Sequence, residues 1–122
     1  MIPLVSHRAF AELHPTGGHP EGQERIRALH AAYPDFAEAR PATVDELTAV
    51  HGLDHVETVR VVSRSGHPTL LDADTICTET TYEAALLAPG AAIQAAERGG
   101  LSLARPPGHH ALPDRAMGFC LF

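Results

Sequence analysis

Two adjacent imidazoles, His109 and His110, follow Arg105-Pro106-Pro107-Gly108 and precede Ala111. Histidine titrates close to neutral pH. A pair in one pocket therefore divides proton work: one ring takes a proton from an attacking water, and the other donates to, or stabilises, a developing oxyanion or leaving group. Neighbouring residues on an extended chain point to opposite sides. Both rings reach one site only if the backbone bends, which Gly108 permits and Pro106-Pro107 constrain on the approach. A bare His-His pair is more often a solvated surface feature. The stiff approach narrows those odds. The apolar Gly118-Phe119-Cys120-Leu121-Phe122 soon after points to a loop that returns into the core.

The remaining candidates are weaker. His51 and His55 are spaced i, i+4, which sets two ligands on one helix face. Gly52 opposes helix between them, and no third ligand stands nearby in sequence. His14 and His19 sit in a loop where Pro and Gly recur. For both pairs the expectation is caps, turns and surface positions. Asp72 and Asp74 read as solvated turn residues.

The elements that must position the loop follow from periodicity and punctuation. Ile2 to Ser6 reads as a first strand. Glu24 to Tyr33 has helical spacing, with Ile26, Leu29 and Tyr33 inward, and Pro34 ends it. Phe36 to Arg40 reads as a short strand. Thr43 with Glu46 forms a capping-box pattern opening a helix to Val50, with Leu47 and Val50 inward. A further helix starts near Asp54, buries Val56, Val59 and Val62, and closes at Gly66-His67-Pro68. Leu70 to Thr75 reads as a loop. From Glu79 one helix runs to Glu97, kinked at Pro89, with Tyr82, Ala85, Leu86, Ile93 and Ala96 on one face and Gly99-Gly100 at its end. Leu101 to Ala104 is a short strand delivering the chain into the loop. Helices alternating with short apolar strands favour an α/β sheet, where ligands bind beyond the carboxyl ends of strands.

Bulk properties bound the function. The 122 residues suffice for one domain with a core. The formal charge is −6, and the nine basic residues, all arginine, never form a run. Direct nucleic-acid binding, which needs a basic patch, is disfavoured. The longest apolar run, Ala84 to Ile93, is far short of the about 20 residues a membrane span needs. No secretory signal precedes Cys77 and Cys120, so a cytoplasmic location with reduced thiols is expected.

Arg105-Pro106-Pro107-Gly108-His109-His110-Ala111 with Met117-Gly118-Phe119-Cys120-Leu121-Phe122 resembles the signature loop of the histone deacetylase superfamily, including its bacterial acetylpolyamine amidohydrolase and acetoin-utilisation members. Other segments agree, in the family's order. His19-Pro20-Glu21 followed by Glu24-Arg25 resembles its His-Pro-Glu loop. Val50-His51 through His55-Val56 resembles its Val-His-x-x-x-Tyr-Val segment, with His55 where tyrosine is usual. Asp72-x-Asp74-Thr75 and Tyr82-Glu83-Ala84-Ala85 resemble the stretch leading into its long helix.

This resemblance implies a zinc-dependent amidohydrolase of the arginase–deacetylase type, a three-layer α/β fold with a mostly parallel sheet. In that family the metal polarises the acyl carbonyl and lowers the pKa of its water. Carried over, His109 is the electrostatic or proton-donating histidine and His110 the general acid/base. Gly118 and Phe119 line a channel for an acyl-lysine or acylpolyamine chain. Arg105 and Cys120 support and pack.

The family's metal ligands, an Asp-x-His pair and a later aspartate, follow the Gly-Phe-Cys-Leu-Phe segment. The expectation is therefore that residues 1–122 are the N-terminal portion of a single deacetylase-like domain, without the metal-binding half. Alone, they are expected to bind no zinc specifically, to have negligible activity and to be poorly soluble or molten. Two other readings stand beside this one: a non-catalytic remnant or interaction module, and a histidine-rich metal-binding protein.

Overall fold

The computed structural model describes residues 1–122. Three short strands, β1 (Leu4–Ser6), β2 (Ala37–Glu38) and β5 (Leu101–Ser102), form a parallel sheet in the order β2-β1-β5. A separate antiparallel hairpin pairs β3 (Thr69–Asp72) with β4 (Thr75–Cys77). The helices are α1 (Ala9–Glu12), α2 (Gln23–Ala32), α3 (Val44–Thr48), α4 (Leu53–Arg64) and α5 (Thr81–Arg98). The expected α/β class with a parallel sheet is what is observed.

The central strand registers Val5 against Ala37 on one side and Ser102 on the other. Val5 is fully buried, with Phe10, Ile26, Leu87, Ala91 and Ala95 in one cluster. Burial of the Val5, Phe10, Ile26 and Leu87 side chains contributes roughly 1.5–3 kcal/mol each, and the alanines less. That cluster fixes the end of β5 and so the start of the loop. A second cluster, Val59, Cys77, Ala85, Ala116 and Leu121, packs α4, β4 and α5 around the far end of the loop. Its member Leu121 has no exposed surface. The loop therefore leaves one core and returns into another, as its apolar end led us to expect.

Local signals account for several boundaries. Thr43 Oγ1 accepts from the Glu46 N–H while Glu46 accepts from the Thr43 N–H, a complete capping box. Arg40 adds two hydrogen bonds to Glu46, and these hold the Glu46 carboxyl down at about 2. Gly99, with φ of 63°, closes α5 in the left-handed conformation. Helix α5 runs through Pro89 as one element. Next to it the Leu86 carbonyl accepts from the Ala42 N–H. A Cβ on Gly90 would sit 1.8 Å from the Arg40 carbonyl oxygen, so only glycine lets this segment dock on the helix.

Some expectations are corrected. Leu70 to Thr75 is not a loop but most of the β3–β4 hairpin. Tyr33 and Val50 are not inward: they are 55% and 68% exposed, because α2 stops at Ala32 and α3 at Thr48. Helix α5 is buried on more than one face, at Thr81, Ala84, Ala85, Leu87, Gly90, Ala91 and Ala95; Ala85 is inward as expected, but Ala96 faces out. Helix α1 was not foreseen; it lacks a side-chain cap and runs for one turn.

Candidate active site

The loop is anchored at Arg105, which is 2% exposed. A buried guanidinium is tolerable only if its charge and donors are met. Here every side of the fork is used. Nε and Nη2 bind the two Glu21 carboxylate oxygens at 3.0 and 2.9 Å. Nη1 donates to the Phe10 carbonyl at 2.8 Å, and Nη2 donates to the His14 carbonyl at 2.6 Å. Arg105 thus ties the loop to the end of α1 and to the His-Pro-Glu segment, the supporting role expected of it. The Arg105–Pro106 peptide is cis.

The far end is held by the two histidines expected at the surface. His51 and His55 are instead 7% and 5% exposed. His51 Nδ1–H donates to the Leu112 carbonyl at 3.0 Å, and His55 Nε2–H donates to the Leu121 carbonyl at 2.6 Å. Phe122 packs 5.5 Å from both rings. Burial pulls His51 below the ordinary histidine range, against the Leu112 carbonyl that favours its charged form. His14 is likewise buried, hydrogen-bonded to Thr81 Oγ1 at 2.8 Å. Its burial, and then the Arg105 charge, lower its pKa to about 4. His19 alone of these four is partly open.

Between the anchors the loop presents His109 and His110. Their ring centroids lie 4.5 Å apart with planes at 61°, and both residues are exposed. Neither imidazole has a hydrogen-bond partner in the chain. The His110 N–H points at Cys120 Sγ, 3.3 Å away, which fixes the backbone beneath the ring. Burial pushes the Cys120 thiol up, consistent with a packing role.

Met117 and Cys120 exchange both backbone hydrogen bonds, at 3.0 and 2.9 Å, around a two-residue turn. Both turn residues have positive φ, 52° at Gly118 and 73° at Phe119. Such turns are favoured in hairpins, but a non-glycine residue there costs roughly 1–2 kcal/mol. A Cβ on Gly118 would lie 2.9 Å from His110 Cδ2, so the Gly118 backbone packs directly against that ring. Phe119 turns its ring edge-to-face with His19 at 4.4 Å. The structure therefore brings His109, His110 and Gly118 together, and sets Phe119 next to Gly118 in the same turn with its ring against His19.

The residues that hold this turn were missed in sequence. Asp72 Oδ2 accepts from the Gly118 N–H at 3.1 Å, and Thr75 Oγ1 accepts from the Phe119 N–H at 3.0 Å. Asp72 is thus a fastener and not merely a solvated turn residue; Asp74 remains exposed, with one oxygen 3.8 Å from His19 Nε2. The Asp-x-Asp-Thr spacing was the available signal, since an aspartate that bonds the N–H two residues on is preset as an acceptor. A recess of about 300 Å³ borders Pro106, Pro107, Gly108 and Phe122 on the side of α5 and is not lined by the two imidazoles. No three His, Cys, Asp or Glu side chains converge on a point that would hold a metal ion. No helix is long and apolar enough to cross a membrane.

Comparison with known proteins agrees with this geometry. Residues 19–122 match the histone deacetylase domain family. A probable deacetylase of Methanothermobacter thermautotrophicus is 38% identical, over 98% of this chain and 39% of that protein. A histone deacetylase-like amidohydrolase of Pseudomonas aeruginosa is 36% identical, over 86% of this chain and 31% of that one. The crystal structure of the HDA15 HD domain superposes with a TM-score of 0.84 at 32% identity, covering 99% of this chain and 40% of the other. The chain thus spans about two fifths or less of the length of these relatives. On the match of its loop, its fold and most of its length, the chain belongs to the histone deacetylase family.

Proposed function

We propose that residues 1–122 are the N-terminal part of a longer amidohydrolase domain that removes acyl groups from acyl-lysine or acylpolyamine-type amines. The observation that carries this is the pair His109 and His110, held 4.5 Å apart on a loop anchored by Arg105 at one end and by His51 and His55 at the other. Two open imidazoles suit proton transfer in amide hydrolysis. His110 accepts a proton as a water oxygen bonds to the acyl carbon, and returns it to the amine nitrogen as the C–N bond breaks. His109 stabilises the developing negative charge or donates a proton. The Phe119 ring forms an apolar wall suited to an alkyl stem.

The zinc that the resemblance implies finds no complete donor set among these residues. No step is therefore routed through it. The proposal assigns proton handling and part of the channel to this chain, and expects the chain alone to lack activity. The buried free thiols of Cys77 and Cys120 fit a reducing, cytoplasmic setting.

The test is amine release from an acetyl-lysine peptide and from an acetylated polyamine. The full-length protein is expected to release amine from at least one, and residues 1–122 alone from neither. Turnover by the isolated 122 residues would refute the division of labour. No turnover of any acylated amine by the full-length protein would refute the amidohydrolase reading and favour a non-catalytic module.

A further inference from the structure

We propose that Asp72 is a positioning residue for His110, acting through the backbone of Gly118, and that Thr75 positions the Phe119 wall. The proposal rests on the amidohydrolase reading and adds to it two residues outside the signature loop. In the turn at Met117–Cys120 the ladder bonds are made by Met117 and Cys120. The N–H groups of Gly118 and Phe119 find their acceptors instead on the β3–β4 hairpin, each meeting one side chain.

The hairpin is built for that reach. Its register shifts between Leu70 and Asp72, so that Asp72 pairs directly with Thr75. Such an irregularity re-aims side chains. Asp72 is also preorganised: its Oδ1 accepts from the Asp74 N–H at 2.9 Å, leaving Oδ2 for Gly118. Thr75 is 1% exposed, so its hydroxyl has little freedom to leave Phe119. The Thr75 hydroxyl, followed by the N–H groups of Asp74, Gly118 and Thr75, holds the Asp72 carboxyl below the usual range despite partial burial.

The line of contact then runs to the reacting groups. Gly118 lies against the His110 ring so closely that a methyl group would not fit between them. Its two positive-φ residues do not hold themselves, because that conformation is costly outside glycine. Releasing Gly118 lets the His110 ring drift; releasing Phe119 moves the wall. The two acceptors therefore hold different N–H groups, with Thr75 also steadying the Asp72 carboxylate through its hydroxyl.

The test uses the full-length protein carrying Asp72→Ala, Asp72→Asn or Thr75→Val, with rates expressed per folded molecule from circular dichroism. Asp72→Ala is expected to lower kcat by about a hundredfold with little change in KM, the scale of a small misplacement in an active site. Asp72→Asn keeps an acceptor for Gly118 and is expected to recover most of that loss. Thr75→Val is expected to raise KM more than it lowers kcat. A kcat per folded molecule for Asp72→Ala within about twofold of wild type would overturn the proposal. Amide hydrogen exchange separates this failure from failure of the amidohydrolase reading. Exchange at Gly118 should accelerate by about tenfold or more in Asp72→Ala, and at Phe119 in Thr75→Val. If wild type turns over no acylated amine, that reading falls, and unchanged Gly118 exchange in Asp72→Ala would overturn the positioning role as well.

Discussion

Arg105 and His110 stand five residues apart on one loop, and their surroundings are opposite. Arg105 is 2% exposed and makes five hydrogen bonds, including both oxygens of a buried carboxylate. His110 is exposed, and its imidazole bonds to nothing in the chain. Buried polar bonds here fix backbone, while the groups suited to chemistry are left with open donors and acceptors. Stability and reactivity are thus separated along a few residues, and substitutions at the two ends should separate in the same way.

The largest effect on stability is expected from Arg105→Leu. It strands the Glu21 carboxylate, which is 5% exposed, and breaking a buried pair on one side costs roughly 3–5 kcal/mol. Urea denaturation of the full-length protein measures it. Acid should attack the same anchor next. His14 has a folded pKa of about 4 against an ordinary 6.5. Below 6.5 the unfolded chain takes up a proton that the folded chain refuses. The stabilisation is therefore complete above pH 6.5 and lost as pH falls toward 4, by on the order of 3 kcal/mol. Denaturation midpoints across that window check the slope, and His14→Gln should flatten it.

A smaller effect is expected at the far anchor. His55→Phe leaves the Leu121 carbonyl in a fully buried place without its donor, at a cost of roughly 1–3 kcal/mol. The tip should show the smallest: His109→Ala and His110→Ala, exposed and unbonded, should shift stability by no more than about 0.5 kcal/mol. A melting temperature that falls as far for His110→Ala as for His55→Phe would erase the contrast between the ends.

What the sequence made legible was local. The capping box at Thr43 and Glu46, the glycine stop at Gly99 and the Pro-Pro-Gly approach all lie within a few residues of what they control. Family resemblance added the assignment of His109 and His110. What stayed hidden depends on distant partners. His51 and His55 read as surface residues because the carbonyls that bury them lie 61 and 66 residues away. Asp72 read as a solvated turn residue because Gly118, whose N–H donates to it, is 46 residues on. Leu70 to Thr75 read as a loop because a short strand exists only by its pairing. The Gly90 contact is invisible until Arg40 is placed on α5.

The most direct test of the division between anchor and tip is kcat of full-length His110→Ala measured beside its thermal melt. The account predicts a loss of roughly 10²–10⁴-fold in kcat, the scale of a missing general acid/base, with the melt unchanged. Wild-type turnover by His110→Ala, or a loss of activity fully explained by a lower melting temperature, would contradict it.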